Sequence, residues 1–86
     1  MNRDRLRELA RAEGIRDESF SLDGGLPPEQ YVLAVSAGGW DVYYSERGER
    51  TGLKTFETED EACASLFESL LKDRTTRDDY RREPRT

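Results

Sequence analysis

The chain has 86 residues, a net charge of −5, one cysteine and no histidine. A chain of this length forms at most one domain, and its core is small because it buries only about 60% of its unfolded surface. The single thiol, Cys63, cannot form an internal disulfide, and we expect no metal site and no cofactor. No apolar run is long enough for a signal peptide or a membrane span, so we expect a cytoplasmic protein that binds no membrane.

The acidic side chains are concentrated in the middle of the sequence. Residues 17–73 carry four basic and thirteen acidic residues, a net charge of −9, whereas residues 1–16 and 74–86 each carry five arginines and three acids. A segment this acidic repels the phosphates of nucleic acid. We therefore predict a basic protein partner and no nucleic-acid partner. The alternative is that the acidity only keeps a small protein soluble.

The first predicted element is a short helix over residues 3–13. Asn2 is a good residue to cap its first turn, and Leu6 and Ala10 lie on one face at helical spacing. Gly14 fits the left-handed residue that follows the end of a helix.

Four strands are predicted after this helix. Phe20 and Leu22 alternate with polar residues and indicate a short first strand, which Pro27 and Pro28 separate from the next by a loop. Three further strands form antiparallel hairpins, a β-meander. They cover residues 31–36, 40–45 and 53–56.

A C-terminal helix begins after a capping box made by Thr58 and Glu61. Its apolar stripe has the clearest helical spacing in the chain. The stripe consists of Ala62, Cys63, Leu66, Phe67, Leu70 and Leu71. Cys63 is therefore predicted to be a small buried side chain and not a nucleophile.

Together these elements predict an α+β fold with the order α-β-β-β-β-α. A small antiparallel sheet of three or four strands packs one face against the C-terminal helix, and the other face stays partly open. The N-terminal helix shares the covered face or lies at the sheet edge. The single domain is placed at residues 1–73, and residues 74–86 are predicted to be a disordered, arginine-rich tail.

The strand 40–45 supplies the candidate site. Its even-numbered residues are Trp40, Val42 and Tyr44, which face the core, whereas Asp41 and Tyr43 face outward. Tyrosine and arginine are enriched at the centres of protein interfaces. We therefore predict a partner-binding surface along this strand and the following turn, formed by Asp41, Tyr43, Glu46, Arg47, Glu49 and Arg50. The alternative is a solvated hairpin with an exposed tyrosine and no partner.

A second possible contact is an acidic prong made by Glu57, Glu59 and Asp60, suited to a basic cleft. A capping role at the start of the helix accounts for these carboxylates as well. No catalytic residues are predicted. Histidine, the usual acid–base group, is absent, and no serine stands in a recognisable motif, so we expect no enzymatic activity.

The segment 40–48 reads Trp-Asp-Val-Tyr-Tyr-Ser-Glu-Arg-Gly; Phe56 then precedes an acidic turn, and Ala62-Cys63 stands at the helix start. This pattern resembles a group of small actinobacterial immunity proteins that accompany secreted polymorphic toxins, including toxins of the NAD-glycohydrolase, tuberculosis-necrotizing type. The resemblance covers residues 20–72. It implies a cytoplasmic inhibitor that binds and blocks a cognate toxin and is a monomer or weak dimer when free.

In that case Tyr43 is expected to be an exposed anchor, so that alanine at Tyr43 or Arg47 weakens toxin binding without much change in melting temperature. Two other classes stay open. One is a protein–protein adaptor or dimerising module. The other is a small regulator that senses a ligand between sheet and helix, in a pocket lined by Trp40 or Tyr44.

Overall fold

The computed structural model describes residues 1–79 and confirms an α+β fold with the predicted order of elements. The helices are α1 (Arg3–Ala12) and α2 (Glu59–Lys72). The strands are β1 (Phe20–Ser21), β2 (Gln30–Ser36), β3 (Gly39–Glu46) and β4 (Glu49–Phe56), and 3-10 turns span Asp17–Ser19 and Arg74–Thr76. Within the described residues, no helix is both long and apolar enough to cross a membrane.

The sheet has the strand order β1-β2-β3-β4, and its last three strands form the predicted antiparallel meander. β1 departs from this pattern because it runs parallel to β2, with Phe20 opposite Tyr31 and Ser21 opposite Val32. The sheet is therefore mixed. The physical reason is the loop of residues 22–29, which carries the chain back to the starting end of β2 before the second strand begins.

One face of the sheet and both helices enclose the main hydrophobic core. Leu33 and Val42 lie opposite each other on β2 and β3 and belong to this core, with Trp40 partly buried against it. The inward direction predicted for Trp40 and Val42 is thus confirmed. The buried residues of the two helices are Leu6, Ala10, Ala62, Cys63, Leu66 and Leu70. α1 shares the helical layer and packs against α2.

Both helices begin at the predicted caps. The side chain of Asn2 accepts a hydrogen bond from the Arg5 amide at 2.9 Å, and Thr58 Oγ1 accepts one from the Glu61 amide at 3.2 Å. Gly14, with a φ of +74°, follows α1 in the left-handed conformation. These local signals fix where each helix starts, and α1 ends within a residue of its predicted limit.

The chain stays attached to the domain beyond α2. Thr76 is buried, and its hydroxyl lies 3.0 and 2.8 Å from two carbonyl oxygens at the end of that helix. Arg77 forms an isolated β-bridge with Ile15. Residues 74–77, assigned from sequence to a disordered tail, are thus packed on the domain. Residues 78 and 79 continue this segment, and residues 80–86 lie outside the described residues.

Candidate partner-binding surface

The loop of residues 22–29 folds over the second face of the sheet. The Gly24 amide donates a hydrogen bond to the Leu33 carbonyl oxygen at 3.0 Å, which continues the parallel pairing begun by β1. A Cβ atom at Gly24 would lie only 3.3 Å from the Cβ of Ala34, so glycine allows the loop to lie close to β2. Val32, on this face, is fully buried as a result.

Tyr43 holds the loop on the sheet. Only 3% of the residue is exposed, and its hydroxyl donates to the Gly25 carbonyl oxygen at 2.6 Å. The guanidinium group of Arg50 lies over the ring, 5.3 Å from its centroid, in cation–π geometry. The prediction of an exposed Tyr43 anchor is therefore wrong, because the loop covers the ring. Alanine at this position should lower the melting temperature, contrary to the expectation from sequence.

Asp41 joins the three long strands. Its Oδ1 atom accepts hydrogen bonds from Ser36 Oγ on β2 at 3.1 Å and from Thr55 Oγ1 on β4 at 2.7 Å. The residue is half-buried and still reaches the surface beside the loop. It therefore has a structural role in addition to any role in binding.

An open groove of about 650 Å³ is lined by this loop, by strands β2, β3 and β4, and by Arg3 of α1. Asp41, Tyr43 and Arg50 all line it, as predicted for one surface. Two of its apolar side chains are strongly exposed, Val35 at 70% and Leu53 at 51%. The charged residues of the lining are Arg3, Asp23, Asp41 and Arg50, two of each sign. Exposed apolar groups among balanced charges suit a polypeptide segment better than a strongly charged ligand.

A bulge in β4 puts Leu53 in this groove. Gly52 and Leu53 together stand opposite the single residue Tyr43, and Gly52 has a φ of +67°. This is the pattern of a bulge whose first residue is a left-handed glycine. The extra residue shifts the alternation of β4, and Leu53 lines the groove instead of the helical core.

The other predicted residues of the hairpin stand apart from the groove. Glu46, Arg47 and Glu49 are exposed at the tip of the β3–β4 hairpin. Arg47 and Gly48 have φ angles of +51° and +75°, so the two-residue turn has the left-handed pair typical of a type I′ turn. The predicted surface is thus divided between the groove and the hairpin tip.

Most of the predicted acidic prong is engaged within the molecule. Asp60 pairs with the amino group of Met1, and Glu59 Oε2 accepts a hydrogen bond from the Arg3 amide at 3.0 Å and lies 3.4 Å from its Nε. These contacts fasten α1 to the start of α2. Glu57 is exposed. Two of the three prong residues therefore stabilise the fold, which the spacing of the acids alone could not reveal.

Cys63 is fully buried, as predicted. Burial raises the pKa of its thiol, and the carboxylate of Glu59 raises it further. A thiol that stays protonated is a poor nucleophile. Cys63 thus contributes to the core and to no site on the surface.

A second cavity, of about 180 Å³, lies where β2 begins and β3 ends. We call it the tyrosine cavity, because Tyr31 and Tyr44 are in its wall together with Glu29 and Asp73. The tyrosine rings meet edge to face with centroids 4.8 Å apart, and the Tyr31 hydroxyl donates to Asp73 Oδ2 at 2.9 Å. The cavity shares no lining residue with the groove. It has Tyr44, but not Trp40, in its wall.

Nine of the twelve residues that line the groove were not predicted as part of the site, among them Val35, Leu53 and Arg3. Gly52 inside a strand pattern is a signal for a bulge, and it could have indicated the altered direction of Leu53. Val35 and Arg3 carry no comparable signal. Val35 lines the groove where the loop approaches β2, and Arg3 lines it from α1. Both contacts join distant parts of the sequence.

The arrangement described here was compared with known proteins. No family model, no curated protein and no solved structure matches the chain.

Proposed function

We propose that this protein acts by binding another protein in the groove, and that it does no chemistry of its own. The exposure of Val35 and Leu53 in a groove with balanced charges carries this proposal. Fully burying one such side chain is worth about 1.5–3 kcal/mol, so a partner that covers both gains substantially. Arg50 and Asp41 lie beside them and offer polar contacts at the rim.

We further propose that the partner is a secreted toxin and that this protein is its immunity inhibitor in the cytoplasm. The resemblance of the segment 40–48 to immunity proteins supports this assignment. The net charge of −9 on residues 17–73 also favours a partner with a basic cleft, because opposite charges speed association. Protection requires tight binding, and a nanomolar complex corresponds to about −12 kcal/mol. Glu46 and Glu49 at the hairpin tip and the exposed Glu57 would contribute steering charge.

The proposal is tested by capturing the partner with tagged protein from lysate of the source organism. The wild type is compared with Leu53→Glu, which puts a charge into the groove. Leu26→Glu is the matched control, since Leu26 is 45% exposed and lies outside the groove lining. We expect one stoichiometric partner to bind the wild type and the control and to be lost with Leu53→Glu.

The toxin assignment is tested separately on the captured partner. We expect that partner to have an enzymatic activity that the wild-type protein inhibits in a stoichiometric ratio. A partner whose activity is unaffected would contradict the immunity role but not the proposal that a partner binds in the groove. Equal capture by Leu53→Glu and the wild type would contradict the groove itself.

A dimerising module is the second candidate, and the exposure of β4 favours it. Every residue from 49 to 55 is exposed, and β4 is an edge strand of the sheet in the described part of the chain. Such an edge can pair with the same strand of a second copy, although Lys54 and the Gly52 bulge oppose flat pairing. Light scattering across a range of concentrations tests this candidate. A mass that rises to that of a dimer supports it, and a constant monomer mass contradicts it.

A further inference from the structure

The tyrosine cavity has an excess of negative charge. Glu18, Glu29 and Asp73 line it, and Arg16 is the one cation that residues 1–79 contribute to its lining. Arg16 Nη2 donates to the Thr75 carbonyl oxygen at 2.6 Å. Within residues 1–79, no ion pair of 4.0 Å or less joins Arg16 to these three carboxylates. The cavity therefore has two uncompensated negative charges in its wall.

The aromatic part of the wall suits a cation as well. The rings of Tyr31 and Tyr44 are inclined at 62°, an edge-to-face arrangement, and the faces of tyrosine rings attract cations. Burial raises the pKa of Tyr31 to about 12, and the hydrogen bond to Asp73 and its charge add to the shift. Burial also raises the pKa of Tyr44, and the charges of Glu29 and Glu46 raise it further. Both hydroxyls therefore stay neutral at physiological pH. The carboxylates that raise these pKa values also attract a cation that enters the cavity.

Size and backbone conformation limit what this cavity can hold. Its volume of about 180 Å³ is below the roughly 300–1,000 Å³ of ordinary small-molecule pockets, which favours the head of a single side chain. Glu29, at its edge, has a φ of +52°, a left-handed conformation that non-glycine residues rarely adopt. The residue is exposed, so its carboxylate is accessible from solvent.

We propose that the tyrosine cavity binds a guanidinium group, the head of an arginine side chain. Glu18, Glu29 and Asp73 match its charge, and the tyrosine rings offer it an aromatic wall. Guanidinium fits better than ammonium because it is planar, stacks on aromatic rings and donates several hydrogen bonds to carboxylates in a fixed geometry. The Nε of Arg16, in the same wall, is buried and has no acceptor among the described residues. This site is independent of partner binding in the groove.

The arginine has two possible sources. One is a basic segment of another protein. The other is the chain itself, since Arg81, Arg82 and Arg85 follow shortly after Thr75 and Thr76, which line the cavity. The chemistry is the same in both cases, and the experiment separates them.

The probe is Nα-acetyl-arginine methylamide, titrated into the full-length protein while the aromatic NMR signals of Tyr31 and Tyr44 are followed. The uncharged analogue Nα-acetyl-citrulline methylamide is the ligand control. We expect saturable shifts of both tyrosines with the arginine probe and none with the citrulline analogue. Glu29→Gln should weaken binding about twofold to fivefold, as for the loss of an exposed ion pair. Glu13→Gln, an exposed acid outside the cavity lining, should leave it unchanged.

Three results would overturn this proposal: no tyrosine shift with the arginine probe either in the wild type or in a variant with Arg81, Arg82 and Arg85 changed to glutamine, equal binding of the citrulline analogue, or equal weakening by Glu29→Gln and Glu13→Gln. A full-length variant with Arg81, Arg82 and Arg85 changed to glutamine then identifies the source. Tighter binding of the probe to this variant assigns the cavity to the chain's own arginines. Unchanged binding assigns it to an arginine of another protein.

Discussion

Ser45 is fully buried, and its hydroxyl has no hydrogen-bond partner among the described residues. A buried hydroxyl that is left unsatisfied costs about 1–3 kcal/mol. Neither the groove nor the tyrosine cavity has Ser45 in its lining. The structure thus gives this hydroxyl no compensating contact.

We predict that Ser45→Ala increases the free energy of unfolding by about 1 kcal/mol, because it removes an unsatisfied polar group and keeps the packing. Urea unfolding measures the change. Ser36→Ala is the control, since Ser36 Oγ donates to Asp41, and its loss should decrease stability by about 1 kcal/mol. A decrease with Ser45→Ala would show that its hydroxyl does have a partner in solution.

Tyr43 shows what a residue pattern can and cannot predict. The alternation along β3 correctly separates Tyr43 from the core residue Val42. The alternation does not predict that Tyr43 is buried, because the loop that covers its ring lies much earlier in the chain, at residues 22–29. The hydrogen bond to Gly25 depends on that distant contact, and no local signal near Tyr43 indicates it.

At the scale of elements, Tyr31 and Asp73 link the start of β2 to the end of α2. Burial alone would raise the pKa of Asp73, but hydrogen bonds from Thr75 and Tyr31 outweigh it and lower the pKa. For Tyr31 the folded-state pKa is raised from 10.0 to about 12. A group whose pKa is higher in the folded than in the unfolded protein stabilises the fold fully at a pH below its unfolded-state pKa. This stabilisation is lost as the pH rises through its folded-state pKa.

We therefore predict that the wild type loses more stability than Tyr31→Phe as the pH rises from 10.0 to about 12. Phenylalanine keeps most of the ring packing and has no hydroxyl to ionise. Urea midpoints of the two proteins across this interval measure the difference, and the other tyrosines and the lysines cancel in the comparison. Parallel pH profiles for the two proteins would contradict the link between Tyr31 and Asp73.

The elements differ in how far the sequence predicts them. Both helices carry their caps and apolar stripes within a few residues, and the β2–β3 hairpin carries its own turn residues, so these elements are predicted correctly. The prediction for β4 is too short, because its first four residues are polar or glycine and the strand begins at Glu49 instead of Leu53. The parallel pairing of β1 and the packing of residues 74–77 depend on contacts between distant segments. The ion pairs of Glu59 with Arg3 and of Asp60 with the Met1 amino group have the same origin, so the sequence alone predicts these acids as a free prong.

For the whole molecule, the helices cover one face of the sheet, and an open groove with exposed apolar groups is lined by the loop of residues 22–29 and the three long strands. The acidic segment 17–73 supplies the sheet and the loop that form most of this groove. The groove itself is balanced in charge, so charge would act mainly on the rate of association and apolar burial on the lifetime of a complex. The proposed function therefore depends on partner binding through the groove.

The most direct test of that claim is calorimetric titration of the captured partner with the wild type, Leu53→Glu and Leu26→Glu. Both variants replace an exposed leucine by the same charged residue, and only Leu53 lines the groove. The account predicts that Leu53→Glu weakens the affinity by roughly tenfold or more, as expected for the loss of one buried apolar side chain, and that Leu26→Glu binds like the wild type. Equal affinity of all three proteins, with unchanged melting temperatures, would contradict it.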